Sequence, residues 1–156
     1  MKLEEICTRA INIILETGKY IRSEGQGLSF DKVDVKGLHN YVTYVDKSAE
    51  KMLVKGLESS VPEAGFIVEE ETIKKTGEVY NWIIDPLDGT TNFIHQAPPF
   101  AISVALTRGN EVILGVVYEI TKDECFYSWG DSKAFLNGTL IHCSTRSKIS
   151  DSLIAT

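Results

Sequence analysis

The chain is expected to fold as an α+β domain, with two amino-terminal helices packed on a largely antiparallel sheet. Two observations lead there: a pair of helix-periodic stretches at the start, then a series of short β-rich runs joined by turn signals. From Lys2 to about Glu24, Leu3, Ile6, Ala10, Ile13, Ile14 and Ile21 recur at spacings of three and four, which predicts one long amphipathic helix. Gly25 and Gly27 stop it. A second helix is predicted from about Lys47 to Ser59, with Ala49, Met52, Leu53 and Leu57 on one face and Asp46 as its N-cap. Pro62 closes that segment.

Beyond Pro62, β-branched and aromatic residues gather in runs at 65–69, 80–85, 100–107, 111–120 and 124–129. Arg108-Gly109-Asn110, Gly130-Asp131-Ser132 and Asn137-Gly138 are turn signals between or after them. The last residues, Ser152 to Thr156, resemble the start of another strand, so the chain reads as part of a longer protein.

Composition narrows the function classes. The 156 residues are 43% hydrophobic and 24% charged, enough for one domain with a substantial core. With 22 acids against 16 Lys and Arg, and no basic block, neither a nucleic-acid nor an anionic-membrane footprint is expected. An anionic substrate would need its charge offset by divalent cations. Cys7, Cys125 and Cys143 form neither a CxxC pair nor an even set, so they are expected to be small apolar residues of a reduced, cytoplasmic protein. The amino terminus, with Glu4 and Glu5 and regularly placed polar residues, is neither a signal segment nor a membrane span.

The chemistry concentrates in NWIIDPLDGTTNF, Asn81 to Phe93. An apolar strand delivers Asp85 to a sheet edge, and Pro86 turns the chain so that Asp88 returns towards the same point. Each acid alone would be an ordinary turn or strand-end residue; together, before Gly89-Thr90-Thr91, they suggest an oxygen-ligand site for Mg²⁺, Mn²⁺ or Ca²⁺. The residues after Gly89 could form one helical turn before Pro98, whose N–H groups and threonine hydroxyls would suit a phosphate. A haloacid-dehalogenase reading fails because Pro86 stands where the DxDGT nucleophile would be. The spacing suits direct attack by water instead.

The acids Glu69-Glu70 followed by DPLDGTTNF resemble the signature of the inositol monophosphatase family, a group of Mg²⁺-dependent, lithium-sensitive phosphatases. The resemblance extends to Lys36 in DVKG, Asp46 in YVTYVDKSAEK, GVVYE from Gly115 and AFLNG from Ala134, and so spans nearly the whole chain. It implies the first half of a layered αβαβα sugar-phosphatase fold, with residues 1–156 forming an amino-terminal metal- and phosphate-binding domain. It also implies two or three Mg²⁺ ions, replaceable by Mn²⁺. Glu69, Asp85 and the Leu87 carbonyl would hold one, and Asp85 with Asp88 a second. Glu69 and Thr90 would activate the attacking water, with Asp46 hydrogen-bonded to Thr90. Glu69, Leu87, Asp88, Gly89 and Thr90 would line the substrate phosphate.

The implied reaction is hydrolysis of inositol 1-phosphate or a similar small phosphomonoester by a cytoplasmic homodimer. Bisphosphate nucleotidases and fructose-1,6-bisphosphatases share the fold and stay open as alternatives, as does a non-catalytic metal- and phosphate-binding domain. Two departures stand out. Glu71 makes three acids in a row, of which Glu69 is taken as the ligand because it directly follows Phe66-Ile67-Val68. The WD motif that completes the family's second metal site does not occur: Trp82 precedes Ile83, and Trp129 precedes Gly130. Of the histidines, only His95 lies near the motif, as a structural or substrate-adjacent residue.

Overall fold

A computed structural model describes residues 2–26, 33–37 and 40–153. Helix α1 (Leu3–Gly25) buries Ile6, Cys7, Ala10, Ile14, Thr17 and Ile21, the stripe expected from the three-and-four spacing. Glu4 and Glu5 in its first turn and Arg22 in its last complement the helix dipole. Two glycines set its packing. A Cβ on Gly18 would run into the Tyr118 ring, and one on Gly25 would lie 2.9 Å from the Phe93 ring. The helix therefore rests tightly on the sheet at one point and on the end of the motif region at another.

Strands β1 (Val33–Gly37) and β2 (Asn40–Thr43) form an antiparallel pair that the sequence reading did not anticipate. Helix α2 (Tyr44–Glu58) begins three residues earlier than Lys47. Asp46 is thus not its N-cap but its third residue, facing inward with Val45, Ala49, Glu50, Leu53, Val54 and Leu57. Met52, placed on the apolar face by the sequence reading, is 38% exposed.

The remaining chain builds a seven-stranded sheet in sequence order: β3 (Gly65–Val68), β4 (Tyr80–Asp88), β5 (Ala101–Arg108), β6 (Glu111–Glu119), β7 (Glu124–Trp129), β8 (Phe135–Leu136) and β9 (Thr139–Leu140). Every neighbouring pair is antiparallel except β3 with β4, which run parallel. The short helix α3 (Thr90–Ile94) joins β4 to β5. Both long helices lie on one face. There Trp82, Ile84, Ile102, Val104, Leu106, Leu114 and Val116 are buried with the helix stripes, each large apolar side chain contributing about 1.5–3 kcal/mol. The opposite face leaves Ile67, Ile83 and Val117 exposed.

The strand expected over Ser152–Thr156 is not present in its described part. Ile149–Asp151 is a 3-10 turn and Leu153 is 97% exposed, while 154–156 lie outside the described residues. All three cysteines are free; Cys7 and Cys125 are buried as small apolar residues, whereas Cys143 is exposed.

Candidate functional site

Two features of the sheet bring the acids together. The first is the parallel pairing of β3 and β4, in which Val68 lies opposite Ile84. The residues that follow this pair are Glu69 and Asp85, close enough for the Glu69 carboxyl to act directly on that of Asp85. An antiparallel pairing would have carried these strand ends apart.

The second is a bulge in β4. Asp85 pairs with Ser103 and Asp88 with Ala101, so three steps on β4 answer two on β5. In a regular strand, residues three apart point to opposite faces. The extra residue restores the parity, and Asp88 comes close enough to act electrostatically on Asp85. Pro86, which has no N–H to give to the ladder, sits inside the bulge. The carboxylate of Asp85 accepts the Leu87 N–H at 3.1 Å, which fixes the bulge from within. The motif's proline thus works by bulging a strand that continues to Asp88, where the sequence reading had a turn.

These acids are held in conflict. Partial burial, then the Glu69 hydrogen bond and charge, then the Asp88 charge push the Asp85 carboxyl up from an ordinary 3.8 to about 7. The Leu87 N–H pulls weakly the other way. The ion pairs recorded among the described residues lie elsewhere on the surface. A crowded set of carboxylates is the donor chemistry of a hard cation. Among the described residues, however, no three acidic, His or Cys side chains already form a metal-sized cluster.

After the bulge, Gly89 has φ +88°, and a Cβ there would crowd the Pro99 carbonyl and Phe100. That conformation turns the chain into α3, with the Phe93 N–H bonded to the Gly89 carbonyl. Phe93 is fully buried and meets Phe100 edge-on at 5.4 Å. The Thr90 hydroxyl lies 3.0 Å from Asp46 Oδ1 and 3.1 Å from the Leu87 carbonyl, so its proton is directed to one of two acceptors. Asp46 is only 2% exposed. The first turn of α2 is therefore tied directly to the first residue of α3.

Asp46, Glu69, Asp85, Leu87, Asp88, Gly89 and Thr90 thus occupy one end of the sheet, formed by the tips of β3 and β4 and the starts of α2 and α3. Lys36 belongs to β1, and its side chain lies outside the described features, as does His39. His95 follows α3 and is exposed; His142 is exposed and far along the chain.

One site residue was missed. Glu50 is completely buried on α2, one turn after Asp46, and its carboxylate accepts the Glu70 N–H at 2.7 Å and the Thr72 N–H at 2.8 Å. Its signal was visible: a glutamate beside Ala49 on the face shared with Leu53 and Leu57 has no reason to be there unless it is paired.

The inositol monophosphatase family model matches residues 2–156. An inositol-1-monophosphatase of Rhizobium meliloti (strain 1021) is 37% identical over 94% of this chain and 55% of its own length. The Nus factor SuhB of Escherichia coli (strain K12) is 37% identical over 78% of the chain and 46% of its own length. Among solved structures, the extragenic suppressor protein suhB from Bartonella henselae superposes with a TM-score of 0.82 at 34% identity, covering 91% of this chain and 55% of that one. The chain spans about half the length of these relatives. With the fold, the paired strand tips and a family match over nearly every residue, this chain belongs to the inositol monophosphatase family.

Proposed function

We propose that the protein is a Mg²⁺-dependent phosphomonoesterase acting on inositol 1-phosphate or a similar polyol phosphate, and that this chain supplies the larger part of its metal- and phosphate-binding site. The observation that carries this reading is the convergence of Glu69, Asp85 and Asp88, produced by a parallel strand pair and a bulge, beside the Thr90–Asp46 hydrogen bond. Family membership supports phosphatase chemistry, and the inositol-1-monophosphatase relative supports the substrate class.

In this reading Glu69, Asp85 and the Leu87 carbonyl would hold one Mg²⁺, and Asp85 with Asp88 a second. The ions would offset phosphoryl charge and bring the pKa of a water down towards neutrality. Thr90, with its own proton engaged by Asp46 or Leu87, offers its oxygen as an acceptor to the attacking water. Glu69 takes that water's proton. The water oxygen bonds to phosphorus as the ester P–O bond breaks in line, and the proton that Glu69 took passes through solvent to the leaving alkoxide, giving the alcohol and inorganic phosphate. In this reading water attacks directly, as the spacing of the motif acids suits, and no phosphoenzyme forms. The turn from Leu87 to Thr90 would receive the phosphate. A cytoplasmic homodimer completes the reading on family resemblance alone.

A second reading has its own support. The chain spans about half the length of the relatives it matches, and in this reading it binds metal and phosphate but does no chemistry by itself. Phosphate release from inositol 1-phosphate decides between them, measured with and without Mg²⁺ for this chain and for the protein at full natural length. Turnover by the long form that is abolished by Asp85→Asn supports the enzyme. No Mg²⁺-dependent release by the long form refutes it. Parallel assays with a nucleoside 3′,5′-bisphosphate and fructose 1,6-bisphosphate rank the alternative substrates.

A further inference from the structure

Glu50 is a glutamate with zero exposure on a helix face that it shares with Val45, Asp46, Ala49, Leu53, Val54 and Leu57. Burying a carboxylate costs several kcal/mol unless it is richly bonded, so its partners matter. Oε2 accepts the Glu70 N–H at 2.7 Å and Oε1 the Thr72 N–H at 2.8 Å. The intervening Glu71 has φ +52°, in the left-handed region that a glutamate seldom adopts. That turn is what swings both N–H groups to one side. Three residues wrap around one buried anion, as a backbone nest wraps a bound one.

The wrapped segment begins directly after Glu69, the residue that β3 delivers against Asp85. On its other side Asp46, one turn earlier on the same helix, receives the Thr90 hydroxyl. Helix α2 therefore holds the two halves of the site with two acids four residues apart: Asp46 grips the α3 side and Glu50 the β3 side. Residues 69–79 join β3 to β4 without a helix, and Phe66 bridges to Lys75 further along, so the Glu50 clamp is one anchor of the first residues of that connection.

We propose that Glu50 is a positioning residue for the metal site: by fixing the turn 70–72 it sets where the Glu69 carboxylate stands relative to Asp85. This rests on the phosphatase reading for its catalytic consequence, but not for its structural one. Groups that orient metal ligands change metal affinity or activity by about 10–100-fold when altered.

The test uses the protein at full natural length, with Glu50→Gln and Glu50→Asp. A glutamine keeps the shape but presents an NH₂ to one of the two N–H groups; an aspartate keeps the charge but is one methylene short. Three quantities are read: Mg²⁺ affinity by calorimetry without substrate, the Mg²⁺ concentration giving half-maximal phosphate release, and amide hydrogen exchange at Glu70 and Thr72 in metal-free protein. The expected result for Glu50→Gln is about a tenfold or greater loss in both Mg²⁺ measures, with kcat at saturating Mg²⁺ changed less than about threefold and exchange at Glu70 and Thr72 sharply faster. Glu50→Asp falls between, and it carries the test if the glutamine variant does not fold. A lowered Tm with unchanged Mg²⁺ affinity in the folded variants makes Glu50 a structural residue only and overturns the proposal. Wild-type protein that binds Mg²⁺ without turnover refutes the phosphatase reading, while the calorimetric comparison still decides Glu50. Wild-type protein that does not bind Mg²⁺ overturns both.

Discussion

Removing the Asp85 charge should stabilise the metal-free protein while destroying its response to Mg²⁺. In the fold the Asp85 carboxyl sits at about 7 against an ordinary 3.8, because partial burial, the Glu69 carboxylate and the Asp88 charge all disfavour its ionised form. A group raised in this way contributes stability that is fully present below its unfolded value and is lost as pH rises through about 7. The metal-free protein should therefore be less stable at pH 8.5 than at pH 5.5. At about 1.36 kcal/mol per unit, the shift sets a ceiling of about 4 kcal/mol. Asp85 is half-buried and its neighbours can relax, so about 1–2 kcal/mol is the working figure. Asp85→Asn keeps an oxygen to accept the Leu87 N–H, now 3.1 Å away, and removes the repulsion. At pH 8.5 without metal its Tm should exceed that of the wild type by about 2–8 °C. Adding Mg²⁺ should then raise the wild-type Tm and leave the variant unmoved, since only a ligand that binds the folded state stabilises it. Thermal melts by circular dichroism across pH 5.5 to 8.5, with chelator or with Mg²⁺, give all four numbers. A variant that is less stable than wild type without metal, or one that gains as much from Mg²⁺, would refute the account of the acid cluster.

Other perturbations test neighbouring parts of the argument. Thr90→Val removes the hydroxyl shared by Asp46 and Leu87, so Tm should fall by an amount reflecting about 1–3 kcal/mol, and phosphate release should drop by about 100-fold or more. Gly89→Ala would hold φ at +88° with a Cβ 3.2 Å from the Pro99 carbonyl. Chemical denaturation should register a loss of about 1–3 kcal/mol, with Mg²⁺ binding weakened as the turn into α3 shifts. Iodoacetamide on the native chain should label Cys143 alone by mass spectrometry, because Cys143 is exposed while burial pushes Cys7 up to about 12 and Cys125 up to about 11. Equal labelling of Cys7 would show that α1 opens readily from the sheet.

Local patterns were enough for much of this molecule. The three-and-four spacing from Leu3 to Ile21 marks α1, and the β-branched runs beyond Pro62 mark β3 to β7 within a residue or a few, because periodicity and turn chemistry act over neighbouring residues. The run from Asp85 to Phe93 likewise announces its acids, its glycine and its short helix. The β1–β2 pair escaped although Val33-Asp34-Val35-Lys36 alternates, since the alternating run is only four residues long and its pairing is a property of two segments together. Asp46 reads as a cap from its place before an apolar stretch, yet α2 starts at Tyr44 and turns Asp46 inward to Thr90, a partner 44 residues away. That Glu69 meets Asp85 depends on β3 pairing parallel with β4, and that Asp88 joins them depends on one extra residue in a ladder shared with β5. Glu50 has the same origin: its carboxylate is tolerable only because a turn 20 residues later folds its N–H groups around it. Residue types and spacings thus name the acids, while strand direction, register and burial decide which of them meet, because those are set by contacts between segments that no local pattern contains.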